Sequence, residues 1–509
     1  MTMTPEPVAT GAPPQAAMAE RRLHPMSWLF VLLAQLRQFV VPLVALLVFG
    51  RGDRNELWPL IGVGVLALSS VWQYFTFRYG VAGDALLVRK GLLERSLRVI
   101  PFARIHNVAL QQSLLHRVFG VAEVRLESAG GKKPEAEMRV LTLADALALE
   151  QLVRHRGQVP AAGNTGDIMV AHAAPEATTL LQLPLDEVLR HGLVSNRGLI
   201  VVGAGVAGLS QFSPRLLPNL FERWGEVVFG YAGSHDFGVP EYALAAASLA
   251  ALAVGVLRVL SMLLSLLQYY GFTLRESGRR LTVERGLLAR WRTSASRRRI
   301  QAWTLHEGVM HRLLRRRSLH VDTAVAEDQQ QQRALREVAP IATPETCDRL
   351  ITHLLPNADW AGQAWQPIPA RSWWRLWLPS VPWVALVGVV VGWRFGAWGL
   401  LALPWLGWSA IAARQHARRA AYAVNDQLVA VRGGWWSRWW RFAEIDKLQA
   451  VSLRLSPLDR RCGTATLWLD TAGATPMAPP LRIRFLPEAE ARALHETLTV
   501  TLARRPLRW

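Results

Sequence analysis

The sequence predicts an α+β membrane protein in which three small β-barrel/helix modules alternate with three transmembrane helical hairpins, about six transmembrane helices in all. Two observations predict this fold class. The stretch at residues 91–129 recurs without a gap from residue 286 and from residue 434, which indicates a triplicated module. Apolar runs occur in pairs between the copies, and the hydrophobic residues, 51% of the chain, are concentrated in these blocks, which is typical of a membrane protein.

Each copy of the repeat places the same kinds of residue at the same offsets. A glycine suited to a tight turn opens each copy, and an apolar residue, an arginine and an acid follow at fixed distances. The matching positions are Gly91, Gly286 and Gly434; Ile105, Ile300 and Leu448; Arg117, Arg312 and Arg460; and Glu127, Asp322 and Asp470. So many matches at fixed offsets identify one structural unit used three times.

Local patterns predict the elements inside each unit. Alternating apolar and polar residues on both sides of the opening glycine predict short strands. An apolar stripe predicts a closing helix in each copy, at residues 144–154, 344–355 and 487–502. Pro344 and Pro487 suit helix starts, and a glutamate follows each of them. Several short strands followed by one helix predict a small barrel or curled sheet that the helix closes at one end.

The motifs of the first copy resemble those of a known domain. Its Gly-Leu-Leu turn, Ile-Pro-Phe-Ala-Arg-Ile run, Arg-Val-Phe-Gly segment and closing Ser-Ala-Gly resemble the bacterial pleckstrin-homology-like domain. The order of parts resembles the YdbT-like membrane proteins, in which such PH-like domains alternate with transmembrane helices. In the second copy Arg315 stands where the others have Gly120 and Gly463, so this copy is the most diverged. The resemblance implies a fold and a topology, and no particular activity.

The apolar runs and the repeats together divide the chain. The predicted spans cover about residues 28–50, 57–75, 189–212, 242–270, 376–393 and 398–413. The predicted domains are a disordered tail (1–26), hairpin 1 (27–78), PH-like module 1 (79–157), a linker (158–184), hairpin 2 (185–270), PH-like module 2 (271–356), a linker (357–374), hairpin 3 (375–413) and PH-like module 3 (414–509).

Charge predicts the orientation. Residues 275–317 hold thirteen arginines against three glutamates, and Arg414, Arg418 and Arg419 follow the last predicted span, whereas residues 213–241 hold two arginines beside four acids. Because basic residues near span ends stay in the cytoplasm, we expect both termini and all three modules on the cytoplasmic side of a bacterial inner membrane. The two cysteines exclude a disulfide framework and fit a reducing compartment. The formal net charge of +20 indicates either solvated faces or attraction to an anionic surface.

The candidate contact residues are arginines and tryptophans. Two arginine clusters either hold a module against an anionic leaflet or only enforce the topology. A tryptophan group beside the third repeat's turn either enters the headgroup layer or packs on the barrel. The residues are Arg297, Arg298, Arg299, Arg315, Arg316, Arg317, Trp435, Trp436, Trp439 and Trp440.

Other motifs predict no catalytic, cofactor or metal site. Residues 203–208 read GAGVAG, a dinucleotide-binding fingerprint, but they lie in a membrane-length apolar run, where small residues favour close helix packing. His306, His311 and His320 lack the partners of a metal site. Arg258 lies inside the predicted fourth span, and a charged residue at such a position often marks a functional site.

The sequence therefore favours a non-enzymatic inner-membrane scaffold whose PH-like modules bind the membrane surface, a partner protein or each other. The expected partners are the anionic inner leaflet and a partner protein or second copy of the chain, with no nucleic acid and no cofactor. The alternatives are a transport or envelope-protection role of the six-helix bundle, and a nucleotide-dependent enzyme at residues 203–208.

Overall fold

The computed structural model describes residues 21–33, 64–65, 68–69, 71–72, 75–82, 85–91, 96–102, 105–128, 136–156, 177–212, 215–233, 238–323, 335–473 and 478–504. The chain forms two compact units, residues 1–171 with 288–293 and residues 172–287 with 294–509. The first predicted hairpin lies largely outside the described residues.

The first unit contains module 1. Its elements are β1 (Arg21–Arg22), β2 (Arg78–Ala82), β3 (Ala85–Lys90), β4 (Ser96–Pro101), β5 (Ile105–Gln112), α1 (Leu114–Val118), β6 (Val121–Ser128), β7 (Ala136–Thr142) and α2 (Leu143–Arg156). Strands β1 to β4 are antiparallel neighbours in order, and β6 pairs with both β5 and β7. The core between them includes Phe102, Leu126, Met138 and, from α2, Leu149 and Val153.

The second unit contains the other two modules and the described membrane helices. Its strands are β8 (Thr178–Gln182), β9 (Thr273–Ser277), β10 (Arg280–Arg285), the last three residues of β11 (Arg290–Ser296), β12 (Ile300–Glu307), β13 (Arg317–Thr323), β14 (Glu337–Ala342), β15 (Gln366–Pro367), β16 (Ala421–Val424), β17 (Leu428–Gly433), β18 (Arg438–Glu444), β19 (Leu448–Arg454), β20 (Thr464–Thr471) and β21 (Arg482–Pro487). Its helices are α3 (Leu185–Val194), α4 (Arg197–Phe212), α5 (Leu216–Gly233), α6 (Val239–Tyr269), α7 (Val309–Leu313), α8 (Pro344–Leu354), α9 (Trp373–Trp377), α10 (Ser380–Phe395), α11 (Ala402–Arg419), α12 (Pro457–Cys462) and α13 (Glu488–Arg504).

Modules 2 and 3 share one sheet. Its strand order is β14-β13-β12-β18-β17-β16-β15, so the last three strands of module 2 continue into the first strands of module 3. The joint is the antiparallel pair β12–β18, in which Trp303 faces Phe442 and Thr304 faces Arg441. Phe442 of module 3 belongs to the same buried core as Leu305 and Leu319 of module 2. Without this pairing, β12 and β18 would each be an edge strand of their own module. The joint gives both strands a partner inside the chain.

Each module closes on its predicted helix. In module 2, α8 buries Cys347, Leu350, Ile351 and Leu354. In module 3, α13 packs on β19, β20 and β21 and buries Ala491 and Leu498. The repeated β-sheet modules predicted from the sequence are therefore confirmed, and their opening glycines all have positive φ angles: 95° at Gly91, 112° at Gly286 and 83° at Gly434.

The number of membrane spans differs from the prediction. Within the described residues, Pro240–Tyr269 and Ser380–Arg419 are long and apolar enough to cross a membrane, and a third span results if the bent pair Leu185–Val194 and Arg197–Gln211 counts as one. The expected six spans are therefore wrong for this part of the chain. One reason is that α3 and α4 meet at 53° and do not form one straight helix.

The other reason lies in the predicted third hairpin. The chain reverses at Gly396, which has a φ angle of 64°, and Trp377 Nε1 donates to Ser409 Oγ across the two arms at 2.9 Å. The arms α10 and α11 have 16 and 18 residues, and the end of α11 is charged. The two arms are at the lower limit of the about 20 apolar residues that a full crossing needs, and Ser380–Arg419 counts as one candidate span rather than two.

The segment between the third and fourth predicted spans is not a plain loop. Residues Leu216–Gly233 form the helix α5. Its sequence mixes apolar residues with the exposed Glu222, Arg223 and Glu226, so no continuous apolar run marks it as helical in the sequence.

Candidate functional site

The first arginine cluster, Arg297–Arg299, forms a 3-10 turn between β11 and β12. Arg297 is used inside the protein: its Nη1 donates to Glu276 Oε1 at 2.9 Å, and its Nη2 donates to the Leu354 carbonyl at the end of α8. The side chain of Arg298 is exposed, and its carbonyl accepts a bond from Lys447 Nζ. Arg299 lies beside it, half-buried.

The second cluster connects module 2 to the membrane helices. Arg316 forms a two-atom ion pair with Glu187 of α3, with Nε 3.0 Å from Oε2 and Nη2 2.7 Å from Oε1. This fork geometry fixes orientation as well as distance. The neighbouring Arg315 is exposed and has a φ angle of 51°. Arg316 therefore fixes the module against the short helix α3.

A second set of buried contacts strengthens that connection. Arg197, at the start of α4, donates to Tyr269 at the end of α6 and to Glu337 of β14. Glu337 also accepts from Arg285 Nη1 at 3.1 Å and from the Tyr269 hydroxyl. Because a carboxylate buried beside two guanidinium groups is costly to separate from them, this group holds the ends of both membrane helices on module 2.

Arg317 and Trp440 meet where module 2, module 3 and helix α11 come together. The Arg317 guanidinium lies 4.9 Å from the Trp440 ring centre, and the guanidinium of Arg419, the last residue of α11, lies 5.4 Å from it. One ring thus contacts two cations, each attracted by its π face. Glu307 is close to Arg317 Nε at 3.7 Å and to Arg438 Nη1 at 3.5 Å.

The turn between β17 and β18 carries the other tryptophans. Trp435 and Trp436 stack with their ring centres 5.1 Å apart, and both contact Trp408 of the arm α11, at 5.6 Å and 6.1 Å. Trp436 is 54% exposed. Trp439 packs over Gly433 and against the module 3 core instead. The candidate tryptophans therefore divide into a turn beside the membrane arm and side chains packed on the modules.

A cavity of about 440 Å³ lies beside this turn, and we call it the arginine pocket. Its lining residues are Gln415, Arg418, Arg419, Arg432, Trp435 and Arg438. Sequence reasoning treated Arg418 and Arg419 only as topology signals and did not single out Arg432 or Arg438. The four arginines come from the end of α11, the end of β17 and the start of β18, so no single stretch of sequence marks the pocket.

A buried ion pair fixes module 3 to the start of the third hairpin. Arg375 Nη2 lies 2.6 Å from Asp459 Oδ1, and both side chains are buried. Burial by itself would raise the pKa of Asp459, but bonds from Ser456 and Arg375 outweigh it and hold this pKa at about 2. The carboxylate is therefore charged at neutral pH and paired.

Arg258, the predicted intramembrane charge, has local partners. Its Nη1 donates to the carbonyls of Leu193 and Ser195 at 3.0 Å and 3.2 Å, and to Asn196 Oδ1 at 3.2 Å. These groups lie at the break between α3 and α4, where helical carbonyls lose their own partners. Arg258 thus provides hydrogen-bond donors to the carbonyl groups at the broken helix end, which lie in an apolar region.

The GAGVAG run lies inside the helix α4 and not at a strand–helix turn, so the strand-turn-helix geometry of a dinucleotide site is absent from these described residues. Its glycines also do not pack closely on the described part of the chain, where a Cβ at Gly203 or Gly208 would meet nothing within 4 Å. Close approach occurs instead at Gly192 and Gly198, which lie against the backbone of α6. The packing expected at residues 203–208 is therefore not made against any residue that the structure describes.

The histidines of module 2 make contacts with protein atoms. His306 Nε2 lies 2.8 Å from Ser437 Oγ, and the His306 and His311 rings are 5.9 Å apart. Burial lowers the pKa of His311 to about 4 and that of His320 to about 3, so both are neutral at pH 7. Within the described residues no group of three metal-ligating side chains is close enough to hold a metal ion.

Comparison with known proteins identifies the repeated unit. The family model described as "Bacterial PH domain" matches residues 29–157, 227–354 and 375–500, which together cover more than half of the chain. The chain belongs to the bacterial PH domain family. The last two matched segments begin in the helices α5 and α9. The family unit therefore includes helical segments as well as the β-module.

The chain is also similar along most of its length to a protein named as a transmembrane protein. The UPF0699 transmembrane protein YdbT of Bacillus subtilis (strain 168) is 19% identical over 423 residues, which cover 80% of this chain and 83% of that protein. No solved structure matches the chain. Three bacterial PH domains, candidate membrane spans and a relative named as a transmembrane protein identify the chain as a membrane protein.

Proposed function

We propose that the protein is a non-enzymatic inner-membrane scaffold that holds its joined PH modules against the anionic cytoplasmic leaflet, where they present a surface to the membrane and to partner proteins. One observation carries the proposal. The Trp435–Trp436 turn of module 3 contacts Trp408 of the membrane arm α11, and tryptophan rings favour the interface between lipid and water. This turn is therefore expected at headgroup depth.

The ion pairs at the helix ends support a fixed position of modules 2 and 3 relative to the membrane helices, rather than attachment by a flexible connection. Arg316 pairs with Glu187 of α3, Arg197 pairs with Glu337 of β14, and Arg375 pairs with Asp459. With the shared β12–β18 sheet, these contacts make modules 2 and 3 one body at the ends of the membrane helices. A scaffold needs such a fixed geometry, because its binding surfaces must keep a constant distance from the membrane.

Charge supports the cytoplasmic orientation. The arginine-rich residues 275–317 and the basic end of α11 would face the cytoplasm, together with both termini, under the positive-inside rule. The inner leaflet is the anionic one, and each basic residue near it contributes about 1 kcal/mol of attraction. The net charge of +20 agrees with such a partner.

A depth measurement tests this proposal. The full chain carries the substitution Cys462→Ser, because Cys347 is buried and Cys462 is exposed, and a spin label is attached to Trp436→Cys. In vesicles containing phosphatidylglycerol, oxygen and nickel accessibility should place the label at headgroup depth.

The control is Gln427→Cys in the same background. Gln427 lies in the turn at the opposite end of β17 from Trp436. Because β17 has six residues, the two turns are about 20 Å apart along the strand. Its label should remain in water. If the label at position 436 is as accessible to aqueous nickel as the label at position 427, the module does not lie on the membrane and the proposal is wrong.

A further inference from the structure

We propose that the arginine pocket binds a phosphate group, carried either by an anionic phospholipid headgroup or by a free phosphorylated molecule. The lipid source of this phosphate rests on the function proposed above, whereas the phosphate chemistry rests on the pocket itself. The pocket is the cavity of about 440 Å³ lined by Gln415, Arg418, Arg419, Arg432, Trp435 and Arg438.

Charge is the first argument for an anion. Four guanidinium groups line the pocket, and among the described residues Glu307 is the one acid that forms an ion pair with any of them, at 3.5 Å from Arg438 Nη1. The Glu307 carboxylate is also shared with Arg317. Like charges held close together repel each other, and burial lowers the pKa of Arg432. An anion in the cavity would relieve this repulsion.

Unused donors are the second argument. The Nε atoms of Arg419, Arg432 and Arg438 are buried and have no hydrogen-bond partner in the part of the chain that the structure describes. Buried polar atoms normally have one. Guanidinium groups bind phosphate oxygens with two parallel N–H bonds, a geometry that a lysine cannot offer.

The orientation of the guanidinium groups is the third argument. Arg419 lies over the Trp440 ring at 5.4 Å, and Arg432 lies over the Trp365 ring at 4.7 Å. A cation–π contact acts on the charge of the guanidinium group and leaves its N–H donors able to bond a ligand. The two aromatic rings therefore orient two of the arginines without using their donors.

The location is the fourth argument, and it favours a membrane headgroup. Arg418 and Arg419 end the helix α11, whose earlier turns carry Trp408, and Trp435 lines the pocket while contacting Trp408. From Trp408 to Arg418 the helix rises about 15 Å, so the pocket lies between an interfacial tryptophan and the water, on the side where the headgroup phosphates are found. The volume also falls in the range of small-molecule sites, about 300–1,000 Å³.

The test measures binding to the full chain in a neutral detergent. Three probes are titrated by calorimetry: dioctanoyl phosphatidylglycerol, inorganic phosphate, and dioctanoyl phosphatidylcholine as the zwitterionic control. We expect phosphatidylglycerol to bind and phosphatidylcholine to bind far more weakly. Displacement of phosphatidylglycerol by inorganic phosphate would assign the contact to the phosphate. Equal affinity for phosphate alone would assign the site to a free phosphorylated molecule rather than to lipid.

The variant R418Q/R432Q removes two pocket arginines. We expect its affinity for the bound probe to fall about thirtyfold, about fivefold for each arginine. The control R460Q/R461Q removes two exposed arginines of the same module and should keep its affinity within twofold. If R418Q/R432Q does not fold, the displacement of phosphatidylglycerol by phosphate on the unmodified chain still decides between a phosphate site and general charge attraction.

The inference is overturned if the unmodified chain binds none of the probes, if it binds phosphatidylcholine as tightly as phosphatidylglycerol, or if both double variants lose the same affinity. The spin label at position 436 separates this failure from that of the proposed function. A label at headgroup depth with no phosphate binding rejects the pocket alone, and a label in water rejects the surface position whatever the pocket binds.

Discussion

Arg315 occupies a backbone conformation that the other two modules give to glycine. Its φ angle is 51°, against 64° at Gly120 and 62° at Gly463, and all three residues follow the short helix of their module. The left-handed region brings a side chain's Cβ close to the backbone and costs about 1–2 kcal/mol. The backbone of the repeat has thus kept its shape where the sequence has diverged.

The substitution Arg315→Gly should therefore stabilise the protein. We expect a gain of about 1 kcal/mol in the free energy of unfolding, because the relief of strain exceeds the added freedom of the unfolded chain. The measurement is urea unfolding of the full chain in detergent micelles. The control is Gly463→Ala: its Cβ would meet nothing within 4 Å, so only the φ strain acts, and a loss of about 1 kcal/mol is expected. A destabilised Arg315→Gly protein would contradict this reading.

At the scale of elements, strand β18 determines how the modules behave. It hydrogen-bonds to β17 in its own module and to β12 in module 2. Arg441 of this strand is buried and reaches across the joint to Asp322 Oδ2 at 2.7 Å and Thr304 Oγ1 at 3.1 Å. Because the sheet and the core are continuous across the joint, the two modules should unfold in one step.

A substitution at the contact between module 3 and the third hairpin, which leaves the residues of module 2 unchanged, tests this coupling. Arg375 bonds to Asp459 and Thr464, both in module 3, and Arg375→Met should cost about 3 kcal/mol because it leaves a buried charge unpaired. If the modules unfold together, hydrogen exchange of β13 in module 2 should become about a hundredfold faster. The control Arg460→Met removes an exposed charge from the same module and should change nothing. Normal protection of β13 in Arg375→Met would mean that the modules are independent.

The sequence predicted those elements whose signal is local. The alternation in each copy marked strands such as β6, β13 and β20, and the apolar stripes marked α2, α8 and α13 to within a few residues. The span count was wrong at the third hairpin because the two arms that meet at Gly396 have only 16 and 18 residues. At the bend between α3 and α4, Arg258, which is distant in sequence, donates to the Leu193 carbonyl.

At the scale of the whole molecule, the arginine pocket could not be predicted from any single stretch. Arg418 and Arg419 looked like topology signals, and Arg432 and Arg438 looked like ordinary strand residues. They meet only because β17 and β18 bring their turn back to the end of α11. Arg297 and Arg316 show the opposite case, since they stood out in the sequence as charge clusters, and the fold places them in ion pairs with Glu276 and Glu187.

The account depends on all three modules lying together on the cytoplasmic side of the membrane. Thiol labelling with a membrane-impermeant maleimide tests this most directly. The exposed Cys462 reports on module 3. In a Cys462→Ser background, Val118→Cys, at a site 78% exposed, reports on module 1, and Arg298→Cys reports on module 2. Glu222→Cys on α5, which the charge pattern places outside, is the positive control.

In intact spheroplasts the account predicts labelling at position 222 only, with positions 118, 298 and 462 labelled after the membrane is permeabilised. Labelling of any module position in intact spheroplasts would contradict the shared cytoplasmic location.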